Sequence, residues 1–534
     1  MPIPTSPKIT KIPSPGEIGL PPKFDSWRVG QEDFIHQILT DTHRSTALCA
    51  GTGFGKSPAY IAAAILSGRP TCVVTESKAL QDQLMDDFSP IGLVDIRGRN
   101  NYICDLRPND PDYTCEDGYA ARCAYKGTTN CPSSAAEFKA ATSKLVVSNY
   151  SKWICSRRFG TGLDHIAQVV FDEGDHAPEA LADAVRIELN HREIEEDLHL
   201  KFLNGEAAKS FYSWKEWANV ARIVSNAEYV RAQAKILRET NPKSSWVKHM
   251  VHMRNLNRKL STLAVAGKLD WVVEEAKDRN GKHYGYVFDP IYPGKFAEHT
   301  ILHRTPRIVV VSATVRRKSM YMLGIAKEQF SFTEYDSTFD PQRCPIYYIP
   351  TLRVDVRTDI RQLWFRLDQI ARARQDLKGI VHTVSYDRQR SVLENAACAE
   401  RMIYNRQGDV TTETVEQFKL APPGTILTSP SVGRGFDFPG DECRWQFICK
   451  IPFQPPSNIL KAREAADPEY RGYKAMQTMV QQFGRDMRSK DDWSQRFICD
   501  DHLKWFLPKF GHLAPRSFHR FFKEVRTLPP PRRF

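Results

Sequence analysis

Three groups of residues in this chain have types and spacings suited to chemistry. The first is Ala50-Gly51-Thr52-Gly53-Phe54-Gly55-Lys56-Ser57, set between an apolar run and a helical stretch. Glycines at Gly53 and Gly55 let backbone amides wrap a phosphate, and the following helix N-terminus adds positive dipole. Lys56 would reach the outer phosphates of a nucleotide and Ser57 would hold Mg²⁺. The second group is Val169-Val170-Phe171-Asp172-Glu173, an apolar strand ending in two carboxylates. Asp172 suits Mg²⁺ and Glu173 suits positioning of an attacking water. The third is four cysteines, Cys104, Cys115, Cys123 and Cys131, in a polar, turn-rich stretch. Their wide spacing lacks the tight knuckles zinc prefers, and by itself does not choose between a metal centre and free thiols.

The elements that must position these groups alternate short apolar runs with helical stretches, the rhythm of parallel α/β units. Strands are expected at 46–50, 71–75, 145–148, 169–172 and 308–311, then at 379–383, 425–428 and 445–449. Two insertions interrupt the first set: the cysteine stretch, 98–135, and a helical stretch, 186–285, that mixes Trp, Leu and Lys/Arg. This gives two α/β halves, the first built from 25–97, 136–185 and 286–322 and the second from 323–534. The proline-rich residues 1–24 are expected to form an extended arm. With 534 residues and a formal charge of +12, the chain suits several domains and a polyanionic partner. No apolar run of membrane-spanning length occurs, so no membrane partner is expected. Eight further cysteines lie scattered, several in apolar runs, and are expected to be buried thiols.

Taken together, these motifs resemble the XPD/DinG family of superfamily 2 DNA helicases. Trp27-Arg28-Val29-Gly30-Gln31 resembles the adenine-sensing motif, with Arg28 and Gln31 at the nucleotide. The stretch from Thr75 to Leu84 resembles a backbone-contacting motif, and Asn149-Tyr150 follows the third strand of the set. Val311-Ser312-Ala313-Thr314 resembles the Ser-Ala-Thr linker that couples hydrolysis to movement. In the second half, 379–386, with Thr383 and Ser385, resembles a DNA-contacting element. The stretch 431–438 resembles the motif where nucleotide and DNA contacts meet, with Asp437 at the nucleotide. Gln481-Gln482-Phe483-Gly484-Arg485-Asp486-Met487-Arg488 resembles the Gln-x-x-Gly-Arg-x-x-Arg box.

The resemblance implies two RecA-like parallel-sheet motor domains, with an iron–sulfur insertion and a helical arch in the first. It implies a [4Fe–4S] cluster on Cys104, Cys115, Cys123 and Cys131, the usual ligand set for such a cluster. Glu173, Arg485 and Arg488 become the catalytic groups, Ser57 and Asp172 the Mg²⁺ ligands, and Ser312, Ala313, Thr314 and Gln481 the coupling residues. Thr75, Asn149, Tyr150, Thr383 and Ser385 become DNA contacts. The implied activity is ATP-driven 5′→3′ unwinding of forked DNA by a monomer tracking single strands, in the cytoplasm of a bacterial or phage-infected cell. Two rival readings are a DNA-dependent ATPase that remodels protein–DNA complexes and a non-catalytic nucleic-acid-binding module. One departure stands out: the family's Asp-Glu-Ala-His box reads Asp172-Glu173-Gly174-Asp175, which puts in doubt the contact from its fourth residue to the Ser-Ala-Thr linker. No role is carried to Arg434, where many relatives have glutamate.

Overall fold

The computed structural model describes residues 11–532 apart from 161, 240–241, 268–269, 279–280, 356–357, 434 and 490. Arg434 lies outside the described residues. In chain order β1 (Ser45–Ala50), β2 (Thr71–Thr75), β3 (Val94–Asp95), β4 (Leu145–Asn149) and β5 (Gln168–Asp172) come first. An insertion then supplies β6 (Ile187–Asn190), β7 (Trp271–Lys277) and β8 (His283–Pro290), and β9 (Arg307–Ser312) and β10 (Phe330–Tyr335) follow. Seven of these form one parallel sheet in the order β10-β1-β9-β5-β2-β4-β3. β1, β2, β5 and β9 are buried at every residue, as strands covered by helices on both faces must be, and they read in sequence as continuous apolar runs.

The second half repeats the plan. β11 (Ile346–Leu352), β12 (Gly379–His382), β13 (Met402–Tyr404), β14 (Ile426–Ser429), β15 (Trp445–Ile448), β16 (Gln495–Asp500) and β17 (Phe522–Glu524) form a second parallel sheet, ordered β13-β14-β12-β15-β16-β11-β17. Motifs placed at the C-terminal ends of parallel strands converge where ligands bind in such sheets. Here that rule brings the ends of β1, β5 and β9 to one edge of motor 1.

Four boundaries differ from the expectation. β10 pairs with β1 from Ser45↔Phe330 to Ala50↔Tyr335, so motor 1 runs past residue 322. β10 was not legible because its alternating Phe-Ser-Phe-Thr-Glu-Tyr is only half-buried, as an edge strand's pattern is. The arch is not purely helical. Its long helices Phe211–Leu237 and Ser244–Val265 pack on an antiparallel sheet, β6-β8-β7, that continues to Pro290. The third difference is the arm: residues 1–10 lie outside the described residues, but 11–24 dock onto motor 1. Ile12 and Leu20 join its core and Trp27 Nε1 donates to the Pro13 carbonyl at 2.7 Å. Finally, the helix Pro132–Thr142 carries the cysteine segment beyond residue 135. Of the scattered cysteines Cys155 is exposed and the others are buried.

Candidate functional site: the cleft between the two motors

The phosphate loop follows β1 and ends at Gly55, whose left-handed φ of 79° starts the helix Lys56–Ser67. Gly53 also has positive φ, 76°, and an added Cβ would fall 2.1 Å from the Phe339 ring. Both glycines are therefore required twice, by backbone and by space. Gln31 and Arg28 hold this loop from beneath. Gln31 Nε2 donates to the carbonyls of Phe54 at 3.1 Å and Gly55 at 2.8 Å, and its Oε1 accepts the Arg28 amide. Arg28 Nη1 donates to the Gly53 carbonyl at 2.6 Å. In this arrangement the two residues shape the loop, and Gln31 is 2% exposed.

The paired carboxylates sit at the end of β5. Asp172 accepts a hydrogen bond from Tyr60 Oη at 3.1 Å. Burial, reinforced by the adjacent Glu173 charge, pushes the Asp172 carboxyl up to about 6, against the pull of Lys56. Glu173 moves the other way. Burial raises it, but Lys56, Arg485, the Ser312 hydroxyl and Arg488 together hold it below the usual carboxylate range. One carboxylate is thus kept ionised by cations contributed from both motors, the state a water-positioning base requires.

From motor 2 the helix Tyr470–Phe483 delivers the arginine box. Gly484 lies against the phosphate loop, where an added Cβ would fall 3.3 Å from Thr52 Cγ2. Arg485 and Arg488 line a cleft shared with Gly51, Thr52, Glu173 and Ala313. Arg485 Nη1 stands 3.5 Å from Asp437 Oδ1, Arg488 forms an ion pair with the same carboxylate, and Arg485 Nε donates to the Gly433 carbonyl. Asp437 therefore orients both arginines from within motor 2.

The departure at Asp175 resolves in the structure. Asp175 is 1% exposed. It accepts from the Ser312 hydroxyl on one oxygen and from Gln481 Nε2 at 2.7 Å on the other. The Ser312 oxygen also lies 3.2 Å from Glu173 Oε2, the alternative acceptor for its one proton, and accepts the Thr314 amide at 3.1 Å. An acceptor-only carboxylate between two donors makes charge-assisted bonds, so Asp175 joins the Asp-Glu box, the Ser-Ala-Thr linker and the arginine-box helix.

The proposed DNA contacts separate into two kinds. Thr75 and Thr383 are fully buried and Tyr150, 5% exposed, packs on Phe171, so as they stand these side chains support loops instead of facing a ligand. Strand-end burial explains this: each ends a strand, or directly follows one, in a doubly covered sheet. Asn149 and Ser385 cap the helices Tyr150–Phe159 and Tyr386–Asn395, their side chains accepting from Lys152 and Arg388 amides.

The four cysteines converge. Cys104, Cys115, Cys123 and Cys131 line one small pocket with Arg99, Tyr119 and Lys126. The Cys131 and Cys115 sulfurs are 3.9 Å apart. Gly118 makes room, since a Cβ there would fall 2.6 Å from Cys104 Sγ. Burial pushes the Cys115 thiol up to about 12, while at Cys131 burial is outweighed by the combined hydrogen bonds of Ser134, Cys115 and the Ser133 amide, which draw the thiol below its ordinary value. Among the described residues no three or more His, Cys, Asp or Glu side chains are drawn into ion-holding geometry. The segment also packs on the arch through Ile236, Val247 and Met250, so it has an apolar support that the sequence did not reveal. Trp214 is a core residue of the arch, and Trp271 stacks on Phe211.

Two side chains of the cleft were missed by sequence reasoning: Tyr60 and Phe339. Only Tyr60 left a signal, as a polar aromatic in the first turns of the phosphate-loop helix.

Known proteins are similar to this chain. Residues 370–519 match the helicase C-terminal domain family. The chain is 20% identical over 577 aligned positions to the ATP-dependent DNA helicase YoaA of Haemophilus influenzae, covering 86% of this chain and 88% of that protein. It is 22% identical to the 3′-5′ exonuclease DinG of Bacillus subtilis over 44% of this chain and 28% of that longer protein. Solved XPD helicase structures superpose with TM-scores of 0.63 and 0.60 at 13% identity, covering 93% of this chain and 98% and 99% of theirs. Xpd4 of S. tokodaii gives 0.58. The fold is that of a two-motor helicase. In its motifs and architecture the chain resembles the XPD/DinG-like superfamily 2 helicases.

Proposed function

We propose that this chain couples ATP hydrolysis to 5′→3′ movement along single-stranded DNA and unwinds forked duplex. One observation carries the reading: the Asp175–Gln481 hydrogen bond, which ties the hydrolytic carboxylates of motor 1 to the arginine-bearing helix of motor 2. In this reading Lys56 binds the outer phosphates, and Asp172 and Ser57 hold Mg²⁺. Glu173 positions water, and Arg485 and Arg488 leave Asp437 to meet the γ-phosphate and the charge that builds on the leaving diphosphate. Loss of the γ-phosphate weakens that attraction and lets the cleft open, and repeated closure advances the strand. Strand displacement on forked duplexes with either a 5′ or a 3′ tail tests the proposal. Unwinding of only the 5′-tailed fork is expected, and DNA-stimulated hydrolysis without displacement of either fork would favour the remodelling reading.

We further propose that the cysteine pocket holds a [4Fe–4S] cluster. Support comes from the four thiols meeting in one pocket and from Gly118, whose missing side chain leaves space beside Cys104. When bound, such a cluster supplies four covalent ties that fix the segment's shape. The chain's own residues do the rest: Arg254 ion-pairs with Glu116, and Arg107 donates to the Pro242 carbonyl, fastening the segment to the arch. Metal analysis of anaerobically purified protein separates iron from zinc.

A further inference from the structure

The helix Tyr470–Phe483 touches motor 1 at more points than the arginine box needs. Lys474, 3% exposed, forms an ion pair with Glu179, which stands on the helix Ala177–Val185 just after the Asp-Glu box. Lys474 Nζ also donates to Gln477 Oε1 at 2.7 Å, and Gln477 Nε2 donates to Tyr473 Oη at 2.8 Å. Tyr473 Oη in turn meets Ser319 Oγ of motor 1 at 2.5 Å. Tyr473, Lys474, Gln477 and Gln481 recur at helical spacing and share one face, and all are buried. None of the motifs accounts for Tyr473, Lys474 or Gln477.

We propose that Lys474, paired with Glu179, is a closure clasp: a positioning residue that sets how readily the two motors close on nucleotide. The inference rests on the reading of the cleft as an ATP site that opens and closes. Its physics follows from the charges around the lysine. Lys474 stands among acidic groups of motor 1, Glu179, Asp175 and Glu76. Burial lowers its affinity for a proton to about 8, while Asp175 and Glu76 act to keep it charged. A buried pair of opposite charges roughly breaks even against an apolar pair, but a charge whose partner has been removed is penalised heavily. With Lys474 present, closing the cleft brings one cation into a group of carboxylates. Without it, closing covers those carboxylates with motor 2 and supplies no compensating charge. Closure is therefore conditional on the clasp, and its loss should act on the closing equilibrium and leave the chemistry of the closed state intact.

The test is the steady-state ATPase of the full chain, saturated with single-stranded DNA, as parent, Lys474→Met, Glu179→Gln and the double variant. Lys474→Met is expected to raise KM for ATP roughly tenfold with kcat at saturation nearly unchanged, the mark of a shifted closing equilibrium. Glu179→Gln, at the quarter-exposed side of the pair, should raise KM by less. Adding Glu179→Gln to Lys474→Met should recover much of the loss, because it removes one of the carboxylates left unpaired. An unchanged KM in both single variants, a loss confined to kcat, or a double variant worse than Lys474→Met would each overturn the clasp. If Lys474→Met does not fold, Glu179→Gln decides alone: a raised KM supports the clasp and an unchanged one overturns it. A parent protein without DNA-stimulated hydrolysis would instead defeat the underlying reading of the cleft.

Discussion

Glu173 adopts a left-handed backbone, φ 46°, which a non-glycine residue rarely holds without compensation. The compensation is visible in its surroundings: the Ser312 hydroxyl and the charges of Lys56, Arg485 and Arg488 all favour its ionised form. Glu173→Gln should therefore abolish DNA-stimulated hydrolysis while leaving nucleotide affinity close to the parent's, whereas Lys56→Ala should weaken binding itself; equilibrium binding of a fluorescent ATP analogue beside an ATPase assay distinguishes them. Asp172 gives a second prediction at this scale. Its pKa is raised by folding, so the stability it contributes is present below the unfolded value near 4 and is lost as pH rises through about 6. In metal-free protein with EDTA, Asp172→Asn should then raise Tm at pH 7.5 and leave it nearly unchanged at pH 4.5, while eliminating hydrolysis. A lowered Tm at pH 7.5 would contradict the assigned burial cost. The residue scale is also where the sequence said most. Lys56, Ser57, Asp172, Glu173 and Ser312 are legible because their strings sit at strand ends whose apolar runs are unmistakable, and Gln481, Arg485 and Arg488 are legible from the spacing of their box at a helix end. Asp175 was legible only as a departure. Its partner Gln481 is 306 positions away, and no local pattern reports a contact across that span.

Elements were legible in proportion to how completely they are buried. Every fully covered strand of motor 1 near the nucleotide was expected within about two residues, since a strand buried on both faces has to read as a continuous apolar run. The edge strand β10 and the sheet at the root of the arch were not, because one-sided burial leaves alternation that competes with loop and helix patterns. Trp271–Lys277 is half-exposed along most of its length, and its residues were taken with the helical stretch around them. The cysteine segment is the third case. It has few apolar residues of its own, and the support it receives from Ile236, Val247 and Met250 comes from helices more than a hundred positions downstream. Its prediction belongs to the element: protein purified without oxygen should contain about four irons per chain, and Cys115→Ser should remove them. Some ATP hydrolysis should persist, since the motor motifs lie outside the segment, while strand displacement fails. One zinc and no iron in the anaerobic protein would refute the cluster, and full displacement by Cys115→Ser would show that unwinding does not need the shape it fixes.

At the scale of the whole molecule, hydrolysis as proposed needs groups from both sheets at once. Motor 1 supplies the phosphate loop and carboxylates, and motor 2 supplies the arginines, held ready on Asp437 at the end of a helix that is itself tied to motor 1. A finger arranged this way contributes to the transition state more than to the ground state, because negative charge builds on the bridging oxygen of the leaving diphosphate only as its bond to the transferring group breaks. Arg485→Ala should accordingly lower kcat by about 10³-fold or more, with a far smaller change in ATP affinity. Asp437→Asn should give a weaker version of the same effect, since the arginine remains but loses the carboxylate that orients it. The measurement is single-turnover hydrolysis at saturating DNA beside equilibrium binding of the nucleotide. Equal losses of affinity and turnover in Arg485→Ala would mean that the arginine only helps hold ATP. Closure would then have to draw its coupling from contacts such as Asp175–Gln481, and Gln481→Ala would become the variant expected to separate hydrolysis from unwinding.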